Sequence, residues 1–132
     1  MYAEKDFQTM FSKWLVRHPT YFDTAVFELK ICKKKSLPFT AVKPHQRRSL
    51  KLAQKCLIWK IPDDSMGEKP FDCFQIKDAE SFVAILWYVP RKPKEFTLIE
   101  VDAYIAEMES SKRKSLTKDR ACDIGILYNL NE

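Results

Sequence analysis

Residues 24–39, TAVFELKICKKKSLPF, join an apolar run to a lysine-rich segment. Residues 21–32 are rich in β-branched and aromatic types and lack helix punctuation, so they predict a strand. Side chains alternate along a strand, which places the apolar positions 25, 27, 29 and 31 on one face and Glu28 and Lys30 together on the other. A half-buried strand needs neither charge for its core, so this pair is the first candidate for a polar site.

Composition predicts one folded domain over residues 1–132. A chain of this length buries about two thirds of its unfolded surface. It is 45% hydrophobic and 13% aromatic, as packed proteins are, and its two glycines argue against a glycine-rich phosphate loop.

Positive charge is concentrated in one part of the chain. The net charge is +5, and residues 28–55 hold nine Lys or Arg against a single acid, Glu28. This asymmetry favours a polyanionic partner, nucleic acid first, although a solvated basic face explains it equally well.

The cysteines and the N-terminus predict a reducing, cytoplasmic environment. The four cysteines are widely spaced, form no C-x-x-C pair and are interpreted as reduced core thiols, without spacing for zinc. No apolar stretch approaches the about 20 residues of a membrane span, and charged residues stand where a signal peptide needs an apolar run.

The hydrophobic pattern predicts the order α-β-α-β-β-β-β-α-α, which is an α+β or mixed α/β domain. Apolar residues spaced by three and four over residues 2–16 predict an amphipathic helix, and Pro44 opens a second helix in HQRRSLKLAQKC. Four strand-like runs follow: CLIWKI, PFDCFQI, SFVAILWYV and EFTLIEV. Two helical pieces from about Asp102 end the chain, with Ser115 or Thr117 as a cap.

Four polar features can carry chemistry. Glu28 can bind a divalent cation through a carboxylate while Lys30, two residues on, stabilises charge on a phosphate, although a simple ion pair would give the same pattern. Asp72 interrupts the apolar KPFDCF and is costly there unless paired, exposed or bound to metal. Gln46 should face the sheet from the start of its helix, where it could hold the attacking water or a phosphate oxygen, or simply satisfy a backbone group. Glu4 lies at the edge of the first helix's apolar stripe.

The order of these features resembles the PD-(D/E)xK nuclease superfamily. The likeness is greatest to the Holliday junction resolvases of the penicillin-binding-protein-related factor A type, in a short phage-like version. It covers about residues 4–118, and its most specific parts are FELK and KPHQ.

The resemblance implies a restriction-endonuclease-like core, with a central mixed sheet of about five strands flanked by helices. It also implies that Glu28 is a metal-binding carboxylate, Lys30 the catalytic lysine, Glu4 the first-helix acid and Gln46 the helix glutamine. The family's first aspartate normally precedes E-x-K on an adjacent strand, but here only Asp23 does so, with the wrong parity. Asp72 is its preferred replacement, binding Mg²⁺ or Mn²⁺ together with Glu28.

The resulting hypothesis is a Mg²⁺-dependent endonuclease for branched DNA, without a small-molecule cofactor. Symmetric cutting of a junction needs two active sites, which predicts a homodimer. Trp87 and Tyr88 could serve a dimer face, although core packing is the commoner fate of such aromatics. DNA backbone contacts are assigned to Lys33, Lys34, Lys35, Arg47, Arg48 and Lys51. The alternatives are a nucleic-acid-binding protein without catalysis and a phage-encoded protein that binds a host partner. If phage-encoded, the protein would work in the bacterial host cytoplasm.

Overall fold

The computed structural model describes residues 1–65 and 67–132. The described residues form the helices α1 (Glu4–Arg17), α2 (Pro44–Ala53), α3 (Val101–Ser110) and α4 (Lys118–Ile124), with a 3₁₀ turn at Phe39–Ala41. The strands are β1 (Ala25–Cys32), β2 (Ser36–Pro38), β3 (Cys56–Lys60), β4 (Cys73–Lys77), β5 (Glu80–Trp87), β6 (Glu95–Glu100), β7 (Ser115–Thr117) and β8 (Ile126–Asn129). The predicted mixed α+β class is confirmed.

A central mixed sheet of four strands has the order β1-β5-β6-β8. Strand β1 runs parallel to β5, with Glu28 opposite Val83 and Lys30 opposite Ile85. The β5–β6 and β6–β8 pairs are antiparallel. Strand β1 is therefore an edge strand, and the polar pair Glu28 and Lys30 lies at the edge of the sheet.

Helices cover both faces of this sheet. On one face, α1 packs Phe7, Phe11 and Trp14 against an aromatic-rich cluster to which the apolar set of β1 also belongs. On the other face, Leu50 of α2 and Tyr104 of α3 pack against the second side of β5. Because β5 is covered on both sides, its apolar run is continuous and seven of its eight residues are buried.

Strands β3 and β4 form a separate two-stranded antiparallel sheet, in which Trp59 lies opposite Phe74. Two backbone bonds anchor its base: Asp78 N–H donates to Lys55 O, and Ala79 N–H donates to Ala53 O. The sequence predicts about five strands in the central sheet. The structure has four there, because the β3–β4 hairpin (residues 56–77) stands apart and the short β8 joins the sheet.

Local signals account for the ends of several elements. Pro44 is in the first turn of α2, as predicted. Thr117 caps α4 through its hydroxyl, which accepts a hydrogen bond from Arg120 N at 3.2 Å, so Thr117 is the cap of the two candidates. Strands β2 and β7 pair with each other and are each three residues long. Such short strands cannot be predicted from an alternation of apolar and polar residues.

The structure decides two predictions about exposure. Trp87 has the commoner of its two predicted fates, core packing: it is buried, and its indole N–H donates to Thr97 Oγ1 at 2.9 Å, because it lies on a central strand of the sheet. Cys56 and Cys73 are exposed and are not core thiols, because both lie in the hairpin. All four cysteines are free, as expected.

No helix among the described residues is long and apolar enough to span a membrane.

Candidate functional site

The polar face of β1 carries Glu28 and Lys30 because the alternate residues are used for packing. Phe27 and Leu29 pack toward α1, with Phe27 against Phe11 at a ring separation of 4.9 Å. Strand alternation then turns Glu28 and Lys30 to the opposite side. The fold thus confirms the predicted division of β1 into an apolar face and a polar face.

Lys30 lies between two carboxylates. Its Nζ is 3.6 Å from Glu28 Oε2 and 4.0 Å from Glu4 Oε1. The lysine side chain is only 13% exposed, against 25% for Glu28 and 48% for Glu4. Glu4 precedes Glu28 by 24 positions and Lys30 by 26 positions in the sequence. The three side chains nevertheless form one cluster, the Glu4–Glu28–Lys30 cluster, in which the largely covered Lys30 ammonium lies between two carboxylates.

The electrostatics of this cluster are not balanced. Burial raises the pKa of Glu28 above its ordinary value, the Lys30 ammonium opposes this rise, and the negative charge of Glu4 adds to it. Since the pKa of Glu28 stays raised, one lysine does not compensate for the cost of holding that carboxylate charged. A further cation at this position would be stabilised.

The N-terminus of α2 forms the other wall of a cleft of about 350 Å³ beside Glu28. His45, Gln46 and Ser49 of α2 line this cleft together with Leu57 of β3. Gln46 Oε1 accepts a hydrogen bond from Lys43 N at 2.9 Å, so the side chain caps its own helix. Gln46 is thus near Glu28, as predicted, and serves the simpler of its two predicted roles, satisfying a backbone group.

His45 was not selected from the sequence as a site residue, although it stands inside the KPHQ motif. The structure places His45 in the wall of the cleft beside Glu28, where it opposes the rise that burial causes in the pKa of that carboxyl. The signal was its position one residue before Gln46 at a helix start.

A larger cleft of about 600 Å³ lies beside Lys30, between the start of α1, the end of β1 and β2. Lys33, Lys34, Ser36 and Ser115 line it together with Glu4 and Lys30. Lys33 Nζ also donates to the carbonyl oxygen of Tyr2, which ties the lysine-rich segment to the chain start. The cleft therefore joins the Glu4–Glu28–Lys30 cluster to a positively charged rim.

The basic residues of α2 line a third cleft, of about 510 Å³, between α2 and α3. Two of these residues have intramolecular partners. Arg47 Nη1 donates to Val42 O at 2.6 Å, and Lys51 forms an ion pair with Asp102. Arg48 is exposed in the same cleft, and Lys35 is exposed in the segment that follows β1.

Asp72 is not brought to this cluster. It is the residue before β4, its side chain is 88% exposed, and its carboxylate pairs with Lys69 at 3.1 Å. Its backbone carbonyl accepts from Ile61 N, which places it at the end of the hairpin ladder away from Leu57. Asp23 is exposed just before β1. The sequence prediction joined Asp72 to Glu28 because KPFDCF is similar to the strand that carries the family's aspartate, and that likeness does not specify where the strand lies relative to β1.

The site contains two carboxylates that can bind a metal ion, those of Glu28 and Glu4. In the described parts of the chain, no group of three or more His, Cys, Asp or Glu side chains is arranged to hold a metal. Mg²⁺ does not require such a group, because it keeps several waters and binds through one or two carboxylates and substrate phosphates. Glu28 and Glu4 fit that requirement, since both carboxylates lie beside Lys30 Nζ, at 3.6 Å and 4.0 Å, and together they exceed its single positive charge.

Two comparisons with known proteins gave no match. No protein-family model matches this chain, and no curated protein matches it. The resemblance to PD-(D/E)xK nucleases therefore stays a prediction that depends on FELK and KPHQ.

Proposed function

We propose that this protein is a metal-dependent endonuclease that cuts branched DNA. The observation that carries the proposal is the position of Lys30, whose ammonium lies between Glu28 and Glu4 and is largely covered by protein. Such an ammonium beside carboxylates with excess negative charge is suited to phosphodiester hydrolysis, in which charge develops on phosphate oxygens. An ordinary surface ion pair would be expected to be more exposed.

Glu28 and Glu4 would hold Mg²⁺, with Mn²⁺ as a possible substitute. When bound, the metal would polarise the phosphate and lower the pKa of a water molecule. Lys30 would donate to a phosphate oxygen and stabilise its developing negative charge. Gln46 would place its amide in the same cleft, where it can donate to a water or phosphate oxygen.

Asp72 remains the second carboxylate that the sequence predicts. It shares strand parity with Phe74 and Ile76, and Ile76 lies opposite Leu57, which lines the Glu28 cleft. It would reach Glu28 only if the end of the hairpin moved toward β1. The surface ion pair with Lys69 is weak enough to be broken at small cost.

DNA is the substrate that the charge distribution favours. Lys33 and Lys34 lie at the rim of the cleft beside Lys30, and Lys35 and Arg48 are exposed nearby in the sequence. Their contacts would be to the phosphate backbone, so binding should weaken steeply with salt and depend little on sequence. A homodimer would supply the two active sites that a four-way junction needs.

A cleavage assay on junction, flap, duplex and single-stranded DNA tests this function. With Mg²⁺ or Mn²⁺, the wild type should cut a branched substrate, and Glu28→Gln should lose about 100-fold or more, as when a charge-stabilising group is removed from an active site. Glu109→Gln is the matched control, because Glu109 is exposed near the end of α3. Equal cleavage by wild type and Glu28→Gln, or none by the wild type, would exclude the proposed site.

A nucleic-acid-binding protein without catalysis is the second candidate. The observation in its favour is that Asp72 pairs with Lys69, outside the Glu4–Glu28–Lys30 cluster. This version predicts salt-dependent retention on DNA that Arg48→Ala weakens, with no metal-dependent cleavage for Lys30→Met to remove. The same assay, run beside a binding measurement, separates the two candidates.

A further inference from the structure

The β3–β4 hairpin exposes large apolar side chains. Ile58 is 66% exposed, Trp59 54% and Phe71 51%. Phe71 packs edge-to-face on Phe74, and Phe74 lies opposite Trp59, so these three residues form one aromatic patch, while Ile58 lies on the other face of β3. We propose that this hairpin surface (Trp59, Phe71 and Phe74) is the interface through which the chain binds a second copy of itself.

The hairpin has little support from the rest of the fold. In the described part of the chain, β3 and β4 pair only with each other, and the packing of β3 is against α2. A two-stranded ribbon is marginally stable alone in water, and its outer strand edges present unpaired backbone groups. A partner that covers the aromatic patch and pairs with a strand edge would supply what the ribbon lacks.

The charge of the hairpin fits self-association. Residues 56–77 contain three lysines and four acids, so the hairpin has a net charge of −1 within a chain of net charge +5. A two-fold interface sets one patch against the same patch of the partner, so a segment with both signs can pair lysines with acids across the axis. Elsewhere the basic surface of one copy would repel that of another.

The same charge balance decides against nucleic acid as the occupant. A surface that binds a phosphate backbone carries an excess of cations, as the segment around Lys33, Lys34 and Lys35 does. The hairpin combines aromatic side chains with no excess of cations, which is the composition of a protein–protein contact. Trp59 and Phe71 are then its expected anchors.

The inference does not rest on the proposed cleavage, because it uses only exposure, pairing and charge. It does bear on that function. Leu57 of β3 also lines the cleft beside Glu28, so a dimer formed through the hairpins would hold two such clefts next to one interface. Two sites fixed in this way are what symmetric cutting of a junction needs.

The mass in solution tests the proposal, by light scattering and sedimentation over a range of protein concentrations. The wild type should have about twice the 15.6 kDa mass of one chain. Trp59→Ser should raise the dimer dissociation constant by about tenfold or more, as loss of an interface anchor does. Phe71→Ser should act in the same direction and leaves the ladder intact, because Phe71 precedes β4.

Val16→Ser and Val89→Ser are the matched controls, since both valines are exposed apolar residues outside the hairpin. Neither should change the mass, and circular dichroism should show all four variants folded. A monomeric wild type at all concentrations overturns the proposal, as does a dimer that both hairpin variants retain. If the wild type is monomeric and Trp59→Ser weakens DNA retention, the surface belongs to nucleic acid.

Discussion

Strand β1 and the β3–β4 hairpin both border the cleft beside Glu28, and they distribute side chains in opposite ways. In β1, Glu28 and Lys30 are charged and largely covered, whereas in the hairpin Ile58 and Trp59 are apolar and more than half exposed. Burying charge and exposing apolar surface both cost folding free energy. Two adjacent regions that depart from the usual distribution in this way are expected to be binding regions, one for a cation and phosphate and the other for an apolar surface.

The largest expected effect is on DNA cleavage, and it compares a carboxylate beside β1, Glu4, with a carboxylate of the hairpin, Asp72. Glu4→Gln should reduce metal-dependent cleavage by about 100-fold, because Glu4 is the second acid beside Lys30. Asp72→Asn should change it by less than about threefold, because that carboxylate is exposed and paired with Lys69. Cleavage rates under single-turnover conditions measure both.

The opposite result would join the hairpin to the active site. If Asp72→Asn loses activity and Glu4→Gln retains it, Asp72 completes the metal site as the sequence predicts. The end of the hairpin must then approach β1 when metal or DNA binds. Lys69→Met separates loss of a metal ligand from loss of an ion pair, because it removes the partner and keeps the carboxylate.

A smaller effect is on the free energy of unfolding, to which Lys30 and Lys69 should contribute differently. Lys30→Met should lower the free energy of unfolding by about 2 kcal/mol, because it leaves Glu28 and Glu4 facing each other in a partly buried site. Lys69→Met should cost less than about 1 kcal/mol, because its pair with Asp72 is exposed. Urea unfolding followed by circular dichroism measures both, and equal losses would mean that Lys30 is no more than a surface lysine.

How far the sequence predicts this site depends on which residues must meet. Parity within one strand was enough to place Glu28 and Lys30 together, and helical spacing was enough to turn Glu4 toward the core side of α1. These are local rules. The position of Glu4 beside Lys30 also needed α1 to cross β1 at its first turn, which no periodicity specifies.

The hairpin shows where such rules stop. The composition of the runs CLIWKI and PFDCFQI predicted strands, and both contain strands. It did not reveal that, within the described residues, these strands pair only with each other, because strand propensity does not select a sheet. The placement of Asp72 beside Glu28 assumed that all the strands share one sheet, and the separate sheet removes that assumption.

The smallest effect is a dependence of stability on pH that Glu28 should produce. Its pKa in the folded protein is raised above the ordinary value of 4.5, chiefly by burial. Between those two values the folded state binds more protons than the unfolded state, so this group lowers stability as pH rises through the window. Glu28→Gln keeps the neutral form at every pH and should therefore melt at a higher temperature than the wild type near neutral pH. The gain should be smaller than the loss in Lys30→Met and should vanish below the ordinary pKa of Glu, where the wild-type carboxyl is protonated in both states.

Thermal melts across this pH range measure the gain, with Glu109→Gln as an exposed control that should show no such gain. If the wild type is the more stable protein near neutral pH, Lys30 holds Glu28 charged in the folded state, and the cluster has no excess negative charge to offer a metal ion.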